Sequence, residues 1–243
     1  MRLCAHALLG SLSLALGACF LPLSTGAPQS ASTVGKNQVG LTAYAEAPTV
    51  DLQATTDEPS SDDYDFSPLP TVTMEGAYGL TDNLDIELAL DGVLYVIVPL
   101  PLGGSIGLRQ QIVDTPKLAV ALSARLGYVQ LGVESNVDAL RNNYSAIYGK
   151  ATAAAQYNPR GRVRPGAALT LAPARIEIDG SEQAAMEFDA RSATLSTTLS
   201  IAFGDVELGP FVNVVYFDSG RLHGSTVFYS GGFMVALRPQ KSR

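Results

Sequence analysis

Thr71-Val72-Thr73-Met74-Glu75-Gly76-Ala77-Tyr78-Gly79-Leu80-Thr81-Asp82-Asn83-Leu84-Asp85-Ile86-Glu87-Leu88-Ala89-Leu90-Asp91 is the stretch from which the fold can be read. Val72, Met74, Gly76, Tyr78 and Leu80 alternate with Thr71, Thr73, Glu75, Ala77 and Gly79. After Thr81-Asp82-Asn83, Leu84, Ile86, Leu88 and Leu90 alternate with Asp85, Glu87, Ala89 and Asp91. Successive side chains of a strand point to opposite faces, so a period of two describes a strand with one apolar and one polar face. Two such runs joined by a short polar link describe a hairpin.

The same alternation extends in both directions. Leu118, Val120, Leu122, Ala124, Leu126 and Tyr128 oppose Ala119, Ala121, Ser123, Arg125 and Gly127; Ala193, Leu195, Leu199, Ile201 and Phe203 oppose Ser192, Thr194, Ser196, Thr198, Ser200 and Ala202. Strands are predicted near Asn37–Glu46, Thr71–Leu80, Asn83–Asp91, Gly104–Val113, Lys117–Leu131, Tyr144–Tyr157, Arg162–Ile178, Ala190–Phe203, Val206–Phe217 and Thr226–Arg238. Several reach or pass the roughly 9 to 11 residues that a tilted strand needs to cross a bilayer. Pro165, Pro173 and Pro210 fall inside these runs. Each removes a ladder donor, so bulges or broken registers are expected there, and the apolar parity does change after Pro173, to Ile176 and Ile178.

Short links (81–83, 114–116, 158–161, 204–205) alternate with long ones (47–70, 92–103, 132–143, 179–189, 218–225). Outer-membrane barrels have this asymmetry, with short turns toward the periplasm. In hydrocarbon no strand edge can stay unpaired. If the apolar face meets lipid, the fold is therefore all-β: a closed antiparallel up-and-down transmembrane barrel of about ten strands. If that face fills a soluble core, the same pattern describes a lipocalin-like barrel or a sandwich held in the periplasm, binding a ligand or a cell-envelope partner.

Composition narrows the class. The 243 residues are 47% hydrophobic and only 16% charged, which leaves little to solvate an ordinary surface. A formal net charge of -7 supplies no basic stripe for phosphates, so no nucleic-acid partner is expected. Arg2 and the apolar run Ala7–Leu16 form a secretion signal too short to span a bilayer. Residues 23–36, rich in Ser, Thr, Ala, Gly and Pro, lack periodicity and are expected to be a flexible tether.

Leu16-Gly17-Ala18-Cys19 resembles the bacterial lipobox. The resemblance implies a lipidated, palmitate-bearing Cys19 and a domain order of signal peptide 1–18, tether 19–36, barrel 37–238 and tail 239–243. An ordinary secreted protein with a cysteine at the cleavage site is the alternative. Gly35-Lys36-Asn37-Gln38-Val39-Gly40 and Tyr78-Gly79-Leu80-Thr81-Asp82-Asn83-Leu84-Asp85-Ile86 resemble the openings and first hairpins of outer-membrane β-barrel proteins, lipidated ones included. Ser230-Gly231-Gly232-Phe233-Met234-Val235-Ala236-Leu237 is similar to the terminal strand read by the barrel assembly machinery, except that it ends on Leu237 and carries a tail. These likenesses imply outer-membrane lipids, that machinery and the lipoprotein sorting machinery as partners, with the lipid in the periplasmic leaflet and the long loops outside.

The parity places Glu75, Asp85, Glu87, Arg109, Arg125, Lys150, Arg162, Arg164 and Glu207 in the lumen. They line a selective porin-like passage, or they pair across a narrow interior and close it. His223, near Asp218 and Ser225, is the one histidine beyond the signal. A lone histidine in a polar loop is weak support for catalysis, so no enzyme, metal or cofactor is expected, with a surface lipid-modifying enzyme as the lesser alternative. The acidic 47–70 segment is either a mobile surface loop or a calcium site. The apolar run Val93–Leu102 extends its flanking strands, folds over the rim or dips into the membrane. The expected role is structural or the passage of small solutes.

Overall fold

The computed structural model describes residues 30–50, 71–95, 98–134, 141–180, 186–218 and 225–239. They form ten strands: β1 (Val39–Val50), β2 (Thr71–Gly79), β3 (Leu84–Tyr95), β4 (Val98–Asp114), β5 (Leu118–Glu134), β6 (Arg141–Tyr157), β7 (Val163–Gly180), β8 (Met186–Phe203), β9 (Val206–Asp218) and β10 (Ser225–Leu237). Each pairs antiparallel with its chain neighbours, and β1 pairs with β10 from Leu41↔Leu237 onward, which closes an up-and-down barrel. The expected closed antiparallel barrel is the observed fold. The cysteine of the lipobox, the acidic residues 51–70 and His223 lie outside the described residues.

The strand ends at the short links lie close to the predicted ones, whereas at the long links the strands run further. The β3–β4 hairpin continues through Val93↔Leu100, Leu94↔Pro99 and Tyr95↔Val98, so the apolar 93–102 run extends its flanking strands. Backbone pairing there outlasts the apolar-polar alternation by which a strand is recognised.

The two faces of the wall differ sharply over most of its height. Leu126 is 69% exposed and Ile147 64% exposed on the outside, and no protein group covers them. On the inside the alternate residues are buried. The outward apolar run spans Leu118–Tyr128 on β5, Val163–Pro173 on β7, Ala193–Phe203 on β8, where Thr197 interrupts it, and Val206–Tyr216 on β9, eleven residues in each case. Tyr157 and Phe203 stand at its short-turn edge, and Tyr128 and Tyr216 at the other.

Beyond that band the polarity of the wall reverses. Gln130, Arg175, Glu177, Glu187, Asp189 and Arg191 point outward and are exposed. Val129, Ala146, Ala174, Ile176, Ala190 and Phe217 point inward and form a buried cluster with Tyr148. Arg175 donates to Glu187 here, which holds the Glu187 carboxyl below its ordinary range.

This reversal corrects the reading of Pro173. The β6–β7 register is the same from Tyr148↔Ala174 to Ala151↔Leu171, so the parity change at Ile176 is a switch in which face is apolar, not a bulge. Pro165 and Pro210 likewise sit in continuous registers: Pro165 faces Leu199, and the β8–β9 pairs run in one register from Thr198↔Phe211 to Ile201↔Leu208 around Pro210. All three prolines point outward. Each adjoins an interruption or end of one ladder, where a missing N–H costs no pairing bond. The register shifts fall instead at Pro48/Val50, Asp91/Gly92 and Gln111/Val113.

Candidate functional site

The chemistry of this chain is concentrated in the barrel interior. Inward positions on β2, β3, β4 and β5 bring Glu75, Glu87, Arg109 and Arg125 together, all but fully buried. Arg109 Nη2 donates to Glu75 Oε1 at 2.8 Å and also pairs with Glu87. Arg125 reaches Glu75 Oε2 at 2.7 Å through Nη2, and its Nε donates to Glu87 Oε2 at 2.8 Å. Two carboxylates and two guanidiniums balance in charge, which offsets part of the cost of holding ions out of water, while Arg109 Nε and Nη1 stay without a hydrogen-bond acceptor.

The register explains how Arg125 crosses the wall. Glu87, Gly107 and Arg125 stand side by side on β3, β4 and β5. A Cβ at Gly107 would lie 2.4 Å from Arg125 Cγ, so the glycine leaves the channel through which the arginine stem lies flat. Only Arg109–Glu87 joins neighbouring strands; Arg109–Glu75 and Arg125–Glu87 each skip one strand and Arg125–Glu75 skips two, so the charges meet inside the barrel.

Three further carboxylates have separate partners. Asp91 accepts from Tyr148 Oη at 2.5 Å and from Thr73 Oγ1 at 2.8 Å, with Lys150 Nζ 5.2 Å above the Tyr148 ring. Glu207 takes Arg164 Nη1 at 2.9 Å, Gln156 Nε2 at 3.1 Å and the Ser200 hydroxyl. Glu46 accepts from Asn213 Nδ2 at 2.8 Å and from Ser230.

The opposite wall is lined by hydroxyls. Thr194, Ser196 and Asn213 are 0% exposed, with Thr152 Oγ1 and Thr170 Oγ1 3.0 Å apart beside them. No water-sized space touches the three fully buried side chains, so the middle of the lumen is filled across this wall as well.

Residues 30–36 correct a second expectation. The end of the expected tether turns into the mouth at the short-turn end and packs there. Ala31 and Val34 are buried, and Ala31 sits among Ala119, Ala121, Ala154 and Ala168. The Val34 N–H donates to Asp85 Oδ2 at 3.0 Å, and Thr33 Oγ1 donates to Gln111 Oε1 at 2.7 Å. Small polar composition, read as flexibility, here suits a narrow mouth.

Of the lumen residues predicted, Glu75, Asp85, Glu87, Arg109, Arg125, Lys150, Arg164 and Glu207 face inward. Arg162 does not. It is exposed just before β7, with its guanidinium 5.1 Å from the outward ring of Phe203, because the inward parity of β7 begins at Arg164. Glu46 was missed, and Asp91, read on the same face as Asp85 and Glu87, was left out of the lumen set, although both continue the inward parity of their strands. Arg238 was assigned to the last strand's end, yet it donates to Ser32 O and Thr42 Oγ1.

No protein-family model matches the chain, and no curated protein matches it. Solved structures similar to it include the attachment invasion locus protein Ail of Yersinia pestis, with TM-score 0.41, 11% identity and coverage of 84% of this chain and 98% of that one. Neisserial surface protein A is similar with TM-score 0.35, 13% identity and coverage of 82% and 96%. The N-terminal β-barrel domain of Pseudomonas aeruginosa OprF is similar with TM-score 0.32, 12% identity and coverage of 84% and 99%. At these scores the likeness carries nothing about what this chain binds or does.

Proposed function

We propose that this chain is an outer-membrane β-barrel protein, anchored by a lipid on Cys19 in the periplasmic leaflet, whose sealed barrel has a structural or surface role and no catalytic one. The reversal of wall polarity carries this reading. Over eleven residues on β5, β7, β8 and β9 the outside is predominantly apolar, while the inside carries the ion cluster and buried hydroxyls beside a smaller apolar group of Tyr44, Phe211 and Met234; past Tyr128, Pro173, Ala193 and Tyr216 the outside becomes polar or charged and the inside gathers the Val129–Ile176–Phe217 cluster. A soluble barrel keeps its apolar face inward along its whole height. Only a slab of hydrocarbon of limited thickness inverts one part of the wall and leaves the rest in water, and eleven tilted residues suit a bilayer.

The filled interior favours the structural reading over passage. The four-residue ion cluster occupies one side, fully buried hydroxyls the other, and residues 30–36 the short-turn mouth. The long links then face outside, where the contacts of a surface protein would lie.

The test is membrane fractionation with gel mobility before and after boiling, for the parent and Cys19→Ala, followed by planar-bilayer recording. The expected result is a heat-modifiable outer-membrane protein, loss of lipid label in Cys19→Ala and no stepwise conductance. Release into the soluble fraction without a mobility shift would replace the membrane barrel by a soluble one, and steady conductance steps would replace the structural role by passage.

A further inference from the structure

We propose that the short-turn mouth of the barrel is a binding site for an extended, small-residue peptide, and that residues 30–36 are its tethered occupant, able to leave while the barrel stays closed. The mouth has the parts of a peptide site. Asp85 Oδ2 accepts the Val34 N–H at 3.0 Å, Gln111 Oε1 accepts the Thr33 N–H at 3.3 Å, and the single Thr33 O–H lies between two acceptors, 2.7 Å from Gln111 Oε1 and 2.6 Å from the Asp82 carbonyl oxygen, donating to one at a time. Arg238 Nη1 donates to the Ser32 carbonyl at 3.3 Å, and Ser30 Oγ donates to Gln156 Oε1 at 3.4 Å. Backbone groups are thus recognised by side chains of β3, β4 and the residue after β10, and the Ser30 hydroxyl by Gln156 of β6.

Size selection accompanies this polar recognition. Four alanines surround Ala31, and a longer side chain there would collide with a packed wall. Gly79 is cut back for the segment: a Cβ on it would lie 1.8 Å from the Gly35 carbonyl oxygen. The chain turns into the mouth through Gly35 and Asn37, both in the left-handed region at φ 95° and 61°.

The occupant can leave because residues 30–34 contribute no rung to the barrel ladder. Closure rests on β1–β10 pairing, which begins at Leu41↔Leu237. Once the segment leaves, Ala121 borders open solvent at the mouth, while the Glu75–Glu87–Arg109–Arg125 cluster above stays in place.

The experiment is thiol accessibility in detergent, on the full chain with Cys4 and Cys19 replaced by serine and Ala121→Cys as reporter, using a charged maleimide. Detergent separates this question from the membrane and conductance tests. The parent should label slowly, because access needs local opening. Val34→Asp, which sets a carboxylate beside Asp85, should label at least about tenfold faster with the heat-dependent mobility shift retained. Gly79→Ala displaces the segment without adding charge and should act in the same direction should Val34→Asp fail to fold. A tether supplies an effective concentration on the order of millimolar, so several millimolar of a synthetic peptide of residues 30–36 should restore protection to the faster-labelling variant. Equal labelling of the parent and the folded variants would overturn the proposal, as would a peptide that restores no protection.

Discussion

Arg125 Nη2 lies 2.7 Å from Glu75 Oε2 and 2.8 Å from Glu87 Oε2, so one guanidinium on β5 joins carboxylates on β2 and β3. With Arg109 it forms a closed set of two positive and two negative charges away from water. Such a set stabilises only while complete, because the loss of one member leaves a buried charge unbalanced.

Arg125→Met therefore should lower stability by about 3 to 5 kcal/mol, read as the urea midpoint of unfolding from phospholipid vesicles. Replacing all four residues together, Glu75 and Glu87 by Leu and Arg109 and Arg125 by Met, should recover most of that loss, because no charge then remains to be balanced. A single variant as stable as the parent would show that the cluster is hydrated and the lumen open at this level.

Leu122, 48% exposed at the centre of the apolar band on β5, and Gln130, just past the end of that band on the same face, give a matched pair. Leu122→Arg should cost about 2 to 4 kcal/mol in a bilayer. Gln130→Arg should cost less than about 0.5 kcal/mol, as surface changes usually do. If Leu122→Arg is as harmless as Gln130→Arg, the outer face is in water and the soluble barrel is correct.

Tyr148 donates to Asp91 at 2.5 Å above the ion cluster, and Thr73 Oγ1 donates to the other oxygen of the same carboxylate at 2.8 Å. Tyr148→Phe preserves the ring and should destabilise by about 1 to 3 kcal/mol. Thr73→Val in the same background should add less than its effect alone, because the two hydroxyls share one carboxylate. Strict additivity in the urea midpoint of the double variant would mean that they do not act as one unit.

The sequence by itself determined the ten strands, their antiparallel order and the inward or outward sense of most side chains, because a strand's faces follow from a period of two and nothing else. It placed Glu75, Glu87, Arg109 and Arg125 on the lumen side for the same reason. Tertiary structure decided what parity cannot express. Which inward charges meet depends on register between strands, and on Gly107 opening a path for Arg125. The fate of residues 30–36 depends on the width of a mouth that exists only once β1 has paired with β10. The meaning of Ile176 was likewise not local. Its inward turn looks like a broken register at Pro173 when read along the chain, and proves to be a continuous strand, because what switches there is which face is apolar and not the backbone register.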